Sequence, residues 1–220
     1  MNETLFGGKR EGLLEKALIR AREMLEEEIG MFLLATDAIL GKEVAEEEVE
    51  ERDKGINLGE KEIRRMIISH LALNPEHDLP TSLALMSVVI DIERIGDFAK
   101  SIVELSEISK ERLLSGRYAE YCLRLRDRLV ELFRLTIDAL VDEDVEKGRE
   151  VMTRSPLVKE ESERIIREVM EDKKATASLG ATLSLLFWYF RRIAAHLSNV
   201  ASAVVKPVDE IGFDDEGVTR

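Results

Sequence analysis

Apolar positions recur along this chain at intervals of three and four, in six runs, with few of the period-two alternations that strands require. That spacing turns one face of a helix inward, so the pattern predicts six amphipathic helices. The first runs from about Leu13 to Leu40 and stops at Gly41. The second runs from about Val44 to Leu73, ahead of Asn74 and Pro75. Pro80 and Thr81 open the third, which reaches about Leu114 before Ser115 and Gly116. The fourth spans about Arg117 to Val141, the fifth Asp144 to Met170 and the sixth Ala175 to Val205, closed by Pro207. Proline and glycine at these points are helix punctuation with a backbone cause. Pro156 conflicts with the fifth run, since a proline inside a helix removes a backbone hydrogen bond. Either a kink or a restart at Ser155 resolves it. The stripe Ser155, Val158, Ile165 and Val169 continues across it and favours a kink.

The second half repeats the first. Leu85, Val88, Ile92, Ile95, Ala99 and Ile102 are matched, 98 positions later, by Leu183, Leu186, Phe190, Ile193, Leu197 and Val200. Phe32, Asp37, Ala38, Glu43 and Val44 are matched 101 positions later by Phe133, Asp138, Ala139, Asp144 and Val145. The expected fold is therefore all-α, two tandem antiparallel three-helix bundles packed side by side. Residues 1–115 form the first unit, 116–206 the second, and 207–220 an acidic tail expected to be mobile.

Composition narrows the function. A formal net charge of −13 argues against nucleic acid and against an anionic membrane surface as partner. Cys122 is the sole cysteine, which excludes an internal disulfide and suits a reducing cytoplasm. The N-terminal segment lacks a signal-like apolar run, and Leu185–Phe190 is far too short to insert in a bilayer. A cytoplasmic location is expected. His70, His77 and His196 lack the spacing of zinc or di-iron sites, and no phosphate-cradling glycine loop or nucleophile elbow is present. An enzyme is not expected. Cys122 reads as a small buried residue, His196 as a structural histidine, and Glu46-Glu47-Glu48 as either a solvated face or a docking surface.

One stretch carries candidate chemistry. Glu93 and Asp97 stand four apart in Asp91-Ile92-Glu93-Arg94-Ile95-Gly96-Asp97, on one face of the third helix. Such like charges repel, and a hard cation with oxygen ligands would relieve them. Asp53 and Asn57 on the second helix would approach Asp97 if those helices are antiparallel neighbours. The alternative is a solvated edge where the acids pair with Arg94, Lys100 or Arg64. Spacing alone leaves both readings open.

The run LMSVVIDIERIGDFAKSIVEL and the stretch VEERDKGINLGEKEI resemble the third and second helices of the PhoU family, and length, helix order and duplication are similar too. The resemblance implies a non-enzymatic regulator of phosphate uptake. Its partners would be the ATPase subunit of a phosphate transporter and a sensor histidine kinase. It also implies a divalent or ferric metal ion on Glu93 and Asp97, with Asp53 and Asn57 as further candidates. The second repeat departs from the pattern: Arg191 and Ala195 replace the two acids, which confines any metal to the first. Arg191 and Arg192 are expected to pair with Glu160 or Glu163. Rival readings are a metal-free helical adaptor or homodimer scaffold and, more remotely, a metal-dependent bundle enzyme.

Overall fold

The structure is a computed structural model that describes residues 12–76, 78–109 and 116–213. Six α-helices account for most of these residues, and none of them forms a strand: α1 (Leu13–Ile39), α2 (Glu46–Leu73), α3 (Leu79–Ile108), α4 (Arg117–Asp142), α5 (Val145–Glu171) and α6 (Ala177–Val205). A 3₁₀ turn, Val208–Glu210, follows. The ends are chemically specified. The Asp144 carboxylate accepts from the backbone N–H of Glu146 and Lys147, at 3.0 and 3.1 Å, and Thr176 accepts from Leu179 at 3.0 Å. Pro80 sits in the first turn of α3, where the missing N–H costs nothing. That helix ends at Ile108 rather than near Leu114; residues 110–115 and His77 lie outside the described residues.

Helix α5 runs unbroken through Pro156. The restart at Ser155 does not occur, because Ser155 is fully buried and donates its hydroxyl to the Ala194 carbonyl of α6 at 2.6 Å. The tail also departs from expectation over its first residues. Lys206 Nζ donates to the Phe213 carbonyl at 2.8 Å, and the Gly212 N–H donates to Ser202 Oγ at 3.0 Å, so 208–213 fold back on α6. Residues 214–220 lie outside the described residues.

Burial repeats with the sequence. Met24, Phe32 and Ile39 of α1 correspond to Leu125, Phe133 and Leu140 of α4, and Val49, Ile56, Ile63 and Ile67 of α2 to Val151, Val158, Ile165 and Val169 of α5. Each trio of helices packs together, and the two trios meet where α1 touches α4 and α3 touches α6. That seam has the pairing expected of a two-fold axis. Phe32 meets its own counterpart Phe133, ring centroids 6.0 Å apart. Phe98 stacks on its counterpart His196 at 5.6 Å. Asp91 pairs with His196, and the corresponding couple, Tyr189 with Phe98, is also in contact at 5.8 Å. A single apolar core runs through both repeats. Among the described residues no helix is long and apolar enough to cross a membrane.

Candidate functional site

The four predicted residues lie where α2 and α3 face each other, and the structure separates their roles. Asp53 points inward from α2, nearly buried, and Lys100 of α3 reaches its Oδ2 at 3.3 Å. Asn57 donates to the Asp53 carbonyl at 3.0 Å and more weakly to its Oδ2 at 3.3 Å, bracing Asp53 from one turn away. Glu93 is half-buried and Asp97 is exposed. Both carboxyls are pushed above their ordinary range, first by partial burial and next by a neighbouring acid, Asp97 for Glu93 and Asp53 for Asp97. Arg94 pulls both the other way. Of the three cations expected at a solvated edge, Lys100 holds Asp53, while Arg64 lies 2.8 Å from Oε1 of Glu60, an acid outside the expected set.

Two inward acids complete the picture. Glu60 of α2 is 8 % exposed. Glu28 of α1 is 0 % exposed, in the middle of the apolar stripe Ala21, Met24, Leu25, Phe32 and Ala35, and neither of its carboxylate oxygens has a hydrogen-bond partner. Its pKa stands well above the ordinary value, through burial first and then through Glu27 and Glu93, with the Gly96 backbone acting in the opposite direction. Gly96 matters sterically as well. A Cβ there would lie 3.1 Å from Ile56 Cδ1 and 3.8 Å from Glu28 Oε1, so the bare backbone makes room for both side chains. The signal for Glu28 was present in the sequence: an acid at a position where the helical period demands an apolar residue.

The carboxylates thus form a lane of falling exposure, from Asp97 through Glu93 to Asp53 and Glu60 and finally to Glu28. Its outer end opens on a groove of about 470 Å³ bordered by Arg94, Asp97, Lys100 and Arg192. The donors are all oxygen, the kind that suits a hard cation. As positioned, no three His, Cys, Asp or Glu side chains among the described residues stand together closely enough to hold an ion.

In the second repeat the same positions carry other chemistry. Leu129 stands at the place of Glu28, Ser155 at that of Asp53 and Ser162 at that of Glu60, all buried. Arg191 stands at the place of Glu93, pairs with Glu163 at 2.8 Å as expected and lies over the Trp188 ring at 4.9 Å. Arg192 turns instead to His196 Nε2, at 3.2 Å, and to the Phe98 ring. A guanidinium can only donate, so Nε2 accepts and Nδ1–H points at Asp91 Oδ1, 2.6 Å away. Asn199 donates to the same oxygen at 2.8 Å. Another groove, of about 690 Å³, lies between α5, α6 and the C-terminal turn and is lined by none of the acids of the lane.

Fold and site together define a tandem-repeat helical protein with acids gathered in one repeat. The family model described as PhoU domain matches residues 21–106 and 123–204, one segment in each repeat. The chain belongs to the PhoU family, a family of phosphate-transport regulators. Its fold is similar to the crystal structure of PhoU from Pseudomonas aeruginosa, with a TM-score of 0.77 and 24 % identity over 87 % of this chain and 95 % of that one. It is also similar to that of the phosphate transport system regulatory protein PhoU from Streptococcus pneumoniae, with a TM-score of 0.73 and 19 % identity over 87 % and 91 %. No curated protein sequence matches it significantly.

Proposed function

We propose that this protein is a cytoplasmic regulator of phosphate uptake that acts by binding the ATPase subunit of a phosphate transporter and a sensor histidine kinase. The observation that carries this reading is membership of the PhoU family across both repeats. Cys122 is buried with its thiol pushed up to about 12, which keeps it protonated and unreactive at neutral pH. In this reading Glu93, Asp97, Asp53 and Asn57 face a divalent or ferric ion in the first repeat. The ion would neutralise the acids and so fix α2 against α3.

The test is phosphate uptake in cells lacking the gene and complemented with the wild-type chain, beside pull-down of the purified ATPase subunit and kinase. Restored control of uptake together with capture of either partner supports the proposal. Unchanged uptake and no capture would sink it. A second reading, a metal-free adaptor, is favoured by one specific observation, that among the described residues no three ligands converge. Partner capture that is unaffected in Glu93→Ala/Asp97→Ala would select it.

A further inference from the structure

We propose that the groove between α5, α6 and the C-terminal turn of the second repeat binds an elongated anion, a chain of phosphates held by Arg149, Lys159 and Lys206. The site uses none of the acids of the lane and stands independently of the uptake role proposed above.

The groove encloses about 690 Å³, a size that suits a small ligand. Arg149 and Lys159 of α5 and Lys206 at the end of α6 give it three cationic side chains, Ser198 a hydroxyl, and Phe213 an aromatic ring on a residue 70 % exposed. Among the described lining residues Glu210, on the exposed turn, is the one acid. Lys206 is built into the wall: it is 6 % exposed, and its ammonium donates to the Phe213 carbonyl at 2.8 Å, which pins the turn to α6. Arg149 pairs with Glu146 one turn earlier at the surface, and an exposed pair of that kind is weak enough to be exchanged for a bound anion. The spacing sets the shape of the ligand. Arg149 and Lys159 stand ten positions apart, about 15 Å along the helix at 1.5 Å per residue. A chain of phosphates fills that interval better than one tetrahedral anion does.

The first repeat shows that this chemistry is no by-product of the fold. Counted back 102 positions along α5 and 98 along α6, the helical lining of the groove falls on α2 and α3. There it carries five acids, Glu47, Glu50, Glu51, Glu104 and Glu107, beside Lys54 and Lys100. In the second repeat the five acids have become Arg149, Met152, Thr153, Ser202 and Val205, and the two lysines Pro156 and Ser198. Lys159 and Lys206 stand where the first repeat has Asn57 and Ile108. Five acids and two cations have thus given way to three cations and no acid, while the buried stripe beneath is apolar in both. The wider field agrees. Residues 116–206 hold 16 Lys and Arg against 15 Asp and Glu, where residues 1–115 hold 15 against 25, so an anion nearing the second repeat meets no general repulsion. A phosphate chain comes as an inorganic ion or as part of a nucleoside triphosphate. Only the second would also use the Phe213 ring, by stacking its base there.

The experiment is calorimetric titration of the purified full-length protein, in EDTA, with sodium tripolyphosphate and separately with ATP. The expected result is one equivalent of tripolyphosphate per chain, with affinity lowered roughly tenfold or more in Arg149→Gln/Lys159→Gln through the loss of charged hydrogen bonds. Thr153→Glu, which puts back an acid at the position of Glu51, is expected to weaken binding too. Lys206 is spared because it pins the turn. Arg124→Gln/Arg128→Gln removes as much charge where both arginines pair with Glu161, and is expected to leave binding unchanged. Tighter binding of ATP, with the advantage lost in Phe213→Ala, would name a nucleotide as the ligand; equal affinities would name the phosphate chain alone, and either upholds the site. Binding of neither anion would overturn the proposal, as would an equal loss in the Arg124/Arg128 variant. Orthophosphate binding as tightly as tripolyphosphate would overturn the elongated form. Each of these results leaves the phosphate-uptake reading to its own cellular test.

Discussion

Cys122 illustrates how a single side chain reports its surroundings. It packs at 0 % exposure on α4, and burial, the dominant cause, lifts its thiol from an ordinary 9 to about 12. A raised pKa means that the folded chain keeps a proton the unfolded chain releases above pH 9. The associated stability is complete below pH 9 and is lost as pH climbs toward 12. Comparing urea denaturation of wild type and Cys122→Ala between pH 8 and 11 checks this, since the wild type should lose stability faster. Iodoacetamide at pH 8 should label the native thiol far more slowly than the unfolded one. Residue chemistry was unevenly legible in the sequence. Glu93 and Asp97 stand out because their spacing is local and has a physical meaning on any helix. Glu28 escapes a motif search because the backbone that makes room for it, at Gly96, lies on another helix. Only the violated apolar stripe hints at it.

Helices were the most legible level, since each is set by local period and punctuation. The six predicted runs agree with the observed elements to within a few residues, apart from the end of α3. Pro156 shows the limit of local rules. Its cost is real, and the packing of α5 on α6, with Ser155 bonded to Ala194, holds the helix through it. Close packing of this pair is tightest at Gly148, where a Cβ would lie 2.6 Å from Val205 Cγ2 and 3.3 Å from the Ala201 carbonyl. Alanine normally gains about 1 kcal/mol over glycine within a helix. Here the branched valine cannot swing aside and the backbone oxygen cannot move without α6. Gly148→Ala should therefore cost a net 1–2 kcal/mol, roughly, through overpacking. A lower urea midpoint with an unchanged denaturant slope would confirm it, and a higher midpoint would refute it.

On the scale of the molecule the seam between repeats decides behaviour. Because one apolar core runs through both, calorimetry should show a single cooperative transition. Among the polar contacts that cross the seam is Asp91, which accepts from His196 and Asn199 on the other repeat. Asp91→Ala leaves the buried His196 and the half-buried Asn199 without their acceptor and should cost about 1–3 kcal/mol, measurable by urea denaturation. None of this pairing was legible in the sequence, since repeats of equal period can meet through many faces. The pseudo-two-fold seam has a further consequence for how such a protein diverges. Were the same contact made by two identical three-helix chains, every substitution would appear twice, and an acidic pocket would be present in both halves or in neither. Joining the halves in one chain releases that constraint. One half is then at liberty to carry the buried acids that weaken a core, while the other, with leucine and serine at those places, remains the sturdier scaffold against which it folds.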